Sequence, residues 1–323
     1  MKINGLAILG LIAPLGLLLG ALLWPATAPA GGLSVPPPAI EGLDLLYAGN
    51  LDNALGIFRG IEAAQPDHPL GYLLEAEARW WQIYCETCEI KWNMIDAWPQ
   101  PRRPVDDSYL VLSDKVIHLA EARIATSDSA EMELYAGLGW MLRARLLALR
   151  NERRATAHAG VMGREHFLRC LQLDPQMADA DTGLGIYNYY VDTLSAMAKV
   201  LRVFMGIPGG NKQDGVRQLE NAMQHGVLTR VTARFYLAKN LRNFELDYQG
   251  SIAVMTPLVT EFPQNPIFQL ILGDTEAKLN RKDLATASFR AAERAHISDA
   301  PCSDRVRAVA EQAMAALAAS TSR

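Results

Sequence analysis

Residues 272–292 read LGDTEAKLNRKDLATASFRAA. The glycine of the Leu272-Gly273 pair is followed twelve residues later by Ala285, then by Phe289 and Ala292. Apolar residues spaced by three and four predict helix rather than strand. The small–apolar–apolar skeleton of Ala285, Phe289 and Ala292 recurs three more times. Ala54, Phe58, Ile61 and Pro66 carry it, as do Gly163, Phe167, Cys170 and Pro175, and Ser251, Met255, Leu258 and Pro263. Those three copies share every offset through the proline, and Ile297 stands where the fourth copy would have one. The spacing has a physical cause. Small residues let two helices cross closely, larger ones fill the gap to the next pair, and proline cannot continue a helix without losing a hydrogen bond.

A helix-turn-helix unit with this skeleton resembles the tetratricopeptide repeat. In that family the first helix carries an apolar–Gly pair, and the second carries the small residue twelve positions on. Gly42 followed by Ala54 fits as Gly273 followed by Ala285 does. Leu184-Gly185 fits the first helix, but its matching Gly215, Leu219 and Ala222 come thirty residues after the glycine, so the second helix is displaced. Phe235 and Ala238 begin a further first helix, paired with Ser251. The resemblance covers about 35–68 and 144–299, with Pro69 to Arg79 opening a further helix. It implies an all-α solenoid of antiparallel helix pairs over residues 41–323, five or six in number. Residues 304–319 form its capping helix, with Val306, Val309, Ala310, Ala313, Met314 and Leu317 on one face. The resemblance also implies a concave groove for a protein or peptide. Its lining would include Tyr236, Asn240, Asn243, Asp274 and Lys278, where asparagine offers both donor and acceptor to an extended backbone.

The chain begins differently. After Lys2, Leu6 to Trp24 is uncharged and mostly apolar, and Ala28-Pro29-Ala30 offers a small-x-small cleavage site. Residues 1–30 therefore read as a signal peptide. The alternative is an uncleaved inner-membrane anchor over residues 6–24. Either places the remainder outside the cytoplasm, in a bacterial periplasm, and no cysteine lies near the cleavage site to make a lipoprotein. Residues 31–40, with Pro36-Pro37-Pro38, read as an extended linker.

Two insertions interrupt the repeats. The first, about 80–107, holds Trp80, Trp81, Trp92 and Trp98 around Cys85-Glu86-Thr87-Cys88. Glu89 stands where haem attachment needs histidine, a zinc site would need a second pair, and a thioredoxin-like site would need a βαβ setting. A local Cys85–Cys88 disulfide or two inert thiols remain, with a thiol redox or metal-linked envelope factor as the alternative function. Cys170 falls at an apolar repeat position and reads as a buried thiol. The second insertion, about 186–210, is apolar along Ile186–Met205 and carries only Lys199 and Arg202 as cations. Such a helix should pack into the solenoid groove, contact a partner, or touch a membrane. The glycine-rich stretch after it lacks Walker spacing and reads as a turn, with Asn211 as N-cap of the next helix. From the apolar helix to Ala222 the chain is similar to a segment of bacterial exported repeat proteins, and more distantly of a mitochondrial outer-membrane repeat family. That similarity assigns no chemistry.

A net charge of −4 gives no nucleic-acid footprint. There is no HExxH and no GxSxG, and no catalytic residue, metal or cofactor is assigned. His158 and His166 read as solvated or capping residues, and Asp174, Asp179 and Asp181 as caps at a repeat junction. The expected function is an exported, non-catalytic scaffold for a protein or peptide partner. Its possible membrane contacts are the N-terminal segment and the 186–205 helix.

Overall fold

The computed structural model describes residues 32–319. The signal or anchor reading of residues 1–30 lies outside the described residues. Among these, six helix pairs follow one another: α1 (Pro37–Tyr47) with α2 (Leu51–Ala64), α3 (Pro69–Glu86) with α4 (Val105–Ile124), α5 (Ala130–Leu149) with α6 (Arg153–Leu173), α7 (Asp179–Asp192) with α9 (Lys212–His225), α10 (Arg230–Asn240) with α11 (Tyr248–Glu261), and α12 (Pro266–Lys278) with α13 (Lys282–Arg294). Helix α8 (Ala196–Phe204) lies between α7 and α9, and α14 (Ala300–Ala319) closes the array. Strands β1 (Cys88–Lys91) and β2 (Met94–Ala97) form an antiparallel hairpin, with Glu89 opposite Asp96 and Ile90 opposite Ile95.

The twelve-residue spacing is explained by what sits beside each glycine. A Cβ on Gly273 would lie 2.7 Å from the Phe289 ring. Gly42 gives the same room to Phe58. The glycine of the first helix thus receives the aromatic ring four residues past the small residue of the second. Gly137 belongs to the same scheme, since a Cβ there would lie 2.7 Å from Phe167. The α5–α6 pair is therefore a full repeat, beginning before the residue 144 that the sequence suggests. The displaced partner of α7 is α9, as expected: a Cβ on Gly215 would meet the Gly185 carbonyl at 2.8 Å. The all-α, tetratricopeptide-like solenoid follows from this pairing.

The array winds until its beginning meets its end. Trp81 of α3 lies 5.0 Å, centre to centre, from Phe235 of α10 and 5.7 Å from Phe268 of α12. Tyr47 of α1 lies 5.9 Å from Trp81, and its carbonyl accepts from Asn265 Nδ2 at 2.9 Å. The first helices of the pairs turn their aromatic residues toward one another, and the inner face of the solenoid is largely its core.

A disulfide fixes this closure. Cys85, at the end of α3, is bonded to Cys302 of α14, with Cα atoms 5.3 Å apart. The local Cys85–Cys88 staple is thereby corrected: Cys85 faces α14, and Cys88 is a free, buried thiol leading into β1. Other boundaries also move. Pro37 and Pro38 sit in the first turn of α1, where a missing N–H costs nothing, so the extended segment ends at Pro36. Trp80 and Trp81 belong to α3, and the excursion from the repeat starts only at Thr87. The capping helix begins at Ala300 rather than 304.

Candidate functional site

The hairpin lies against the inner face of the solenoid, on the helices expected to present the groove. Its two-residue turn, Trp92-Asn93, has φ of 48° and 58°. Both residues are left-handed, as a type I′ hairpin turn requires. Asparagine tolerates this; tryptophan adopts it under strain, with its side chain 81% exposed and edge-on to Trp98. Behind the turn, Asp96 enters the protein. Its carboxylate accepts from Tyr84 Oη at 2.5 Å and from Asn243 Nδ2 at 2.8 Å, and pairs with Lys239 Nζ at 2.8 Å. Arg242 joins the hairpin to the solenoid. It is wholly buried, donates to the Ile95 carbonyl at 2.7 Å, and pairs with Asp274 at 3.0 Å and Asp96 at 3.4 Å. The Ile95 amide in turn donates to Asp274 at 3.3 Å, and Lys278 donates to the Asn93 carbonyl.

The electrostatics divide the two acids. Burial alone would raise the Asp96 carboxyl. Lys239 and Arg242, with hydrogen bonds from Lys239 and Tyr84, outweigh it and hold the group below the usual carboxylate range. For Asp274 burial wins over Arg242 and Lys278, and its pKa is raised. The cluster has the makeup of a structural clamp: each ion faces its counter-ion and few are reachable from water. The two free thiols are equally closed. Burial, then the Asp96 charge, push Cys88 up to about 12. Cys170 is likewise pushed up to about 12, mainly by burial.

Of the expected groove residues, Asn243, Asp274 and Lys278 all reach the hairpin. Tyr236 is buried beside Phe235, and Asn240 is buried with neither amide atom hydrogen-bonded. Asn93, Ile95 and Asp96 of the chain's own hairpin take up the polar groups of Lys278, Asp274 and Asn243. Arg242, Lys239, Tyr84 and Asp96 went unread in the sequence. A π-helical turn over Leu241–Glu245, ended by Leu246 at φ 55°, carries the wholly buried Arg242, outside the 3.6-residue periodicity.

The other expected residues have local roles. Asp179 accepts from the amides of Val227, Leu228 and Thr229 at 2.8–2.9 Å, capping the approach to α10. Asn211 Oδ1 accepts from the Asp214 amide at 3.1 Å, as an N-cap should. His166 Nδ1 lies 2.7 Å from Glu133. Among the described residues no group of three or more His, Cys, Asp or Glu is arranged to hold a metal.

The second insertion departs from its expectation. Residues 186–192 complete α7, and α8 is a separate nine-residue helix capped by Ser195. It enters no groove. Its two cations are bonded off the apolar stripe: Lys199, still partly exposed, pairs with Asp192 at 3.0 Å, and Arg202 donates to the Ile207 carbonyl at 2.8 Å. Met197, Val200, Leu201 and Phe204, at helical spacing, face water, and Phe204 is 84% exposed. Among the described residues no helix is long and apolar enough to cross a membrane.

No family model and no curated protein matches this chain. Among solved structures it is similar to the Cut9–Hcn1 hetero-tetramer of the APC/C, at 10% identity and TM-score 0.40, over 84% of this chain and 42% of that one. The chain thus spans less than half of that structure's length. A thermophilic TPR protein from Thermus thermophilus is similar at 11% identity and TM-score 0.31, over 86% of this chain and 97% of its own.

Proposed function

We propose that the chain is an exported, non-catalytic protein-interaction scaffold whose partner-binding surface is α8 rather than the concave face. The observation that carries this is the inverted orientation of α8. A soluble helix normally buries its apolar stripe and exposes its charges. Here Lys199 is paired with Asp192 of α7, Arg202 with the Ile207 carbonyl just past the helix, and the apolar stripe faces out. The inner face, by contrast, is occupied by the chain's own hairpin. Export is supported by the Cys85–Cys302 disulfide, since such bonds persist in oxidising compartments. The apolar N-terminal segment supports it from the sequence side. A thiol-redox role loses its basis: Cys85 is bonded to a distant helix, and the Cys88 thiol is buried far from thiolate character.

The test is a photo-reactive residue at Phe204, in cells, against the same probe at the exposed Gly56 of α2. Protein adducts at 204 and not at 56 support the scaffold; their absence at 204 in folded protein overturns it. Export has its own readout. Denatured in excess maleimide straight from cells, Cys85 and Cys302 should label only after prior reduction, and labelling without reductant would place the chain in a reducing compartment.

A further inference from the structure

We infer that the occupant of the α8 face is a second copy of this chain, paired antiparallel across a two-fold axis. This rests on the scaffold reading above. Four observations lead to it, and charge comes first. A surface that meets its own copy is favoured by low net charge, because two patches of the same net charge repel. The apolar stripe of α8 carries none: Lys199, partly exposed, pairs off the stripe with Asp192, and Arg202 bonds the Ile207 carbonyl. The same fact argues against anionic headgroups, which interfacial helices attract with free Lys and Arg on their polar face.

The second observation is area. Met197, Val200, Leu201, Val203, Phe204 and Met205 are each more than half exposed. Together they present several hundred Å² of apolar surface, more than a monomer usually leaves bare. That approaches the ~800 Å² per partner of a stable interface.

The third is symmetry. The stripe runs Met197, Val200, Leu201, Phe204, with its midpoint between Val200 and Leu201. An antiparallel copy about that midpoint sets Val200 against Leu201 of the partner subunit and Met197 against Phe204 of the partner subunit. The outer contacts join a thioether to an aromatic ring, a favourable pairing. Two such contacts arise for each crossing, one at either end of the stripe, as an isologous interface requires.

The fourth is the mounting. Asp192, at the end of α7, holds Lys199 through its side chain and also accepts from the Lys212 amide at 3.0 Å, at the start of α9. One carboxylate thereby ties α8 to both helices of its repeat. The platform is held while its outer face stays uncovered.

The experiment uses the full chain. Sedimentation equilibrium should give the mass of two copies. Val200→Glu with Leu201→Glu should halve it and leave the circular dichroism unchanged, because both side chains are more than half exposed. Met197→Cys and Phe204→Cys chains, mixed and oxidised, should form a linked dimer, whereas either variant alone should not. Like positions on the two copies stand about 10 Å apart along the axis, from a rise of ~1.5 Å per residue. A one-copy mass for the unmodified chain, a two-copy mass that survives the glutamates, or linking of each cysteine variant with itself would overturn the pairing. Flotation of a one-copy chain with neutral phosphatidylcholine vesicles, abolished by the glutamates, would overturn it in favour of a bilayer. The probe at Phe204 separates this proposal from the one beneath it. An adduct with a different protein ends the self-pairing and leaves the scaffold; no protein adduct ends both.

Discussion

The inner face around Asp96 and the outer face of α8 treat charge and apolar surface in opposite ways. On the inner face, charges are buried and paired, and the chain supplies its own ligand. Asp96 and the Ile95 backbone take up the polar groups of Lys239, Arg242, Asn243 and Asp274. On α8, both cations have local partners and the apolar stripe is left bare. A helical-repeat fold therefore does not by itself say which face binds. The face whose charges are paired from within is structure, and the face whose apolar groups are used by nothing within is available.

The largest expected effect lies on the inner face. Arg242→Met leaves Asp96 short of one partner and Asp274 of its closest cation, both in a dry setting. Removing one side of a buried pair costs ~3–5 kcal/mol. The urea midpoint should fall by the equivalent amount with the m-value unchanged. A loss below ~1 kcal/mol would mean that the hairpin lies open to water.

Next comes the closure of the array. Cys302→Ser removes a crosslink spanning 217 residues. Loss of a native disulfide typically costs ~2–5 kcal/mol. The aromatic contact of α1 and α3 with α10 and α12 remains, so folding should survive, with the midpoint of thermal unfolding lowered. An unchanged midpoint would show the closure to be independent of the bond.

The two acids on Arg242 should respond to pH with opposite sign. Asp96 is held below its unfolded value, so its contribution is complete above the unfolded carboxylate pKa and is lost as pH falls through the folded one. Asp274 is raised, so its contribution is complete below the unfolded pKa and is lost as pH rises through the folded one. Asp96→Asn should flatten the fall of stability on acidification, and Asp274→Asn should steepen it. Urea midpoints measured from about pH 3 to 7, across the ordinary carboxylate range, check both. Equal slopes in the two variants would contradict the division of charge at Arg242.

The repeats were legible because their cause is local and recurs. Gly273 and Phe289, or Gly42 and Phe58, meet within one helix pair, so a fixed spacing records the contact. The displaced partner of α7 was legible for the same reason. Asn243, Asp274 and Lys278 were legible as one face, but the hairpin they hold was not, because it lies 147 residues or more away in the chain. Asp96 sits in a segment without helical period, and Arg242 sits in a π turn, where counting by 3.6 assigns the wrong face. The Cys85–Cys302 bond needs the closure of the array, which no single repeat encodes. Reading Cys85 with Cys88 followed sequence proximity, whereas Cys85 lies at the end of a helix and faces another.

The smallest effect on stability should come from α8, and it sharpens the comparison most. Every apolar side chain on its outer stripe is more than half exposed, so replacing one removes little packing. Surface substitutions away from caps and buried groups stay within ~0.5 kcal/mol. Phe204→Ser should therefore leave the urea midpoint of dilute protein where it is, while raising solubility. Arg242→Met should do the reverse, lowering the midpoint with little change in the exposed surface. If Phe204→Ser lowers the midpoint more at high protein concentration than at low, the lost stability belongs to an assembly, because only binding makes stability depend on concentration. A loss independent of concentration would mean that α8 packs on its own body, and the two faces would no longer differ in kind.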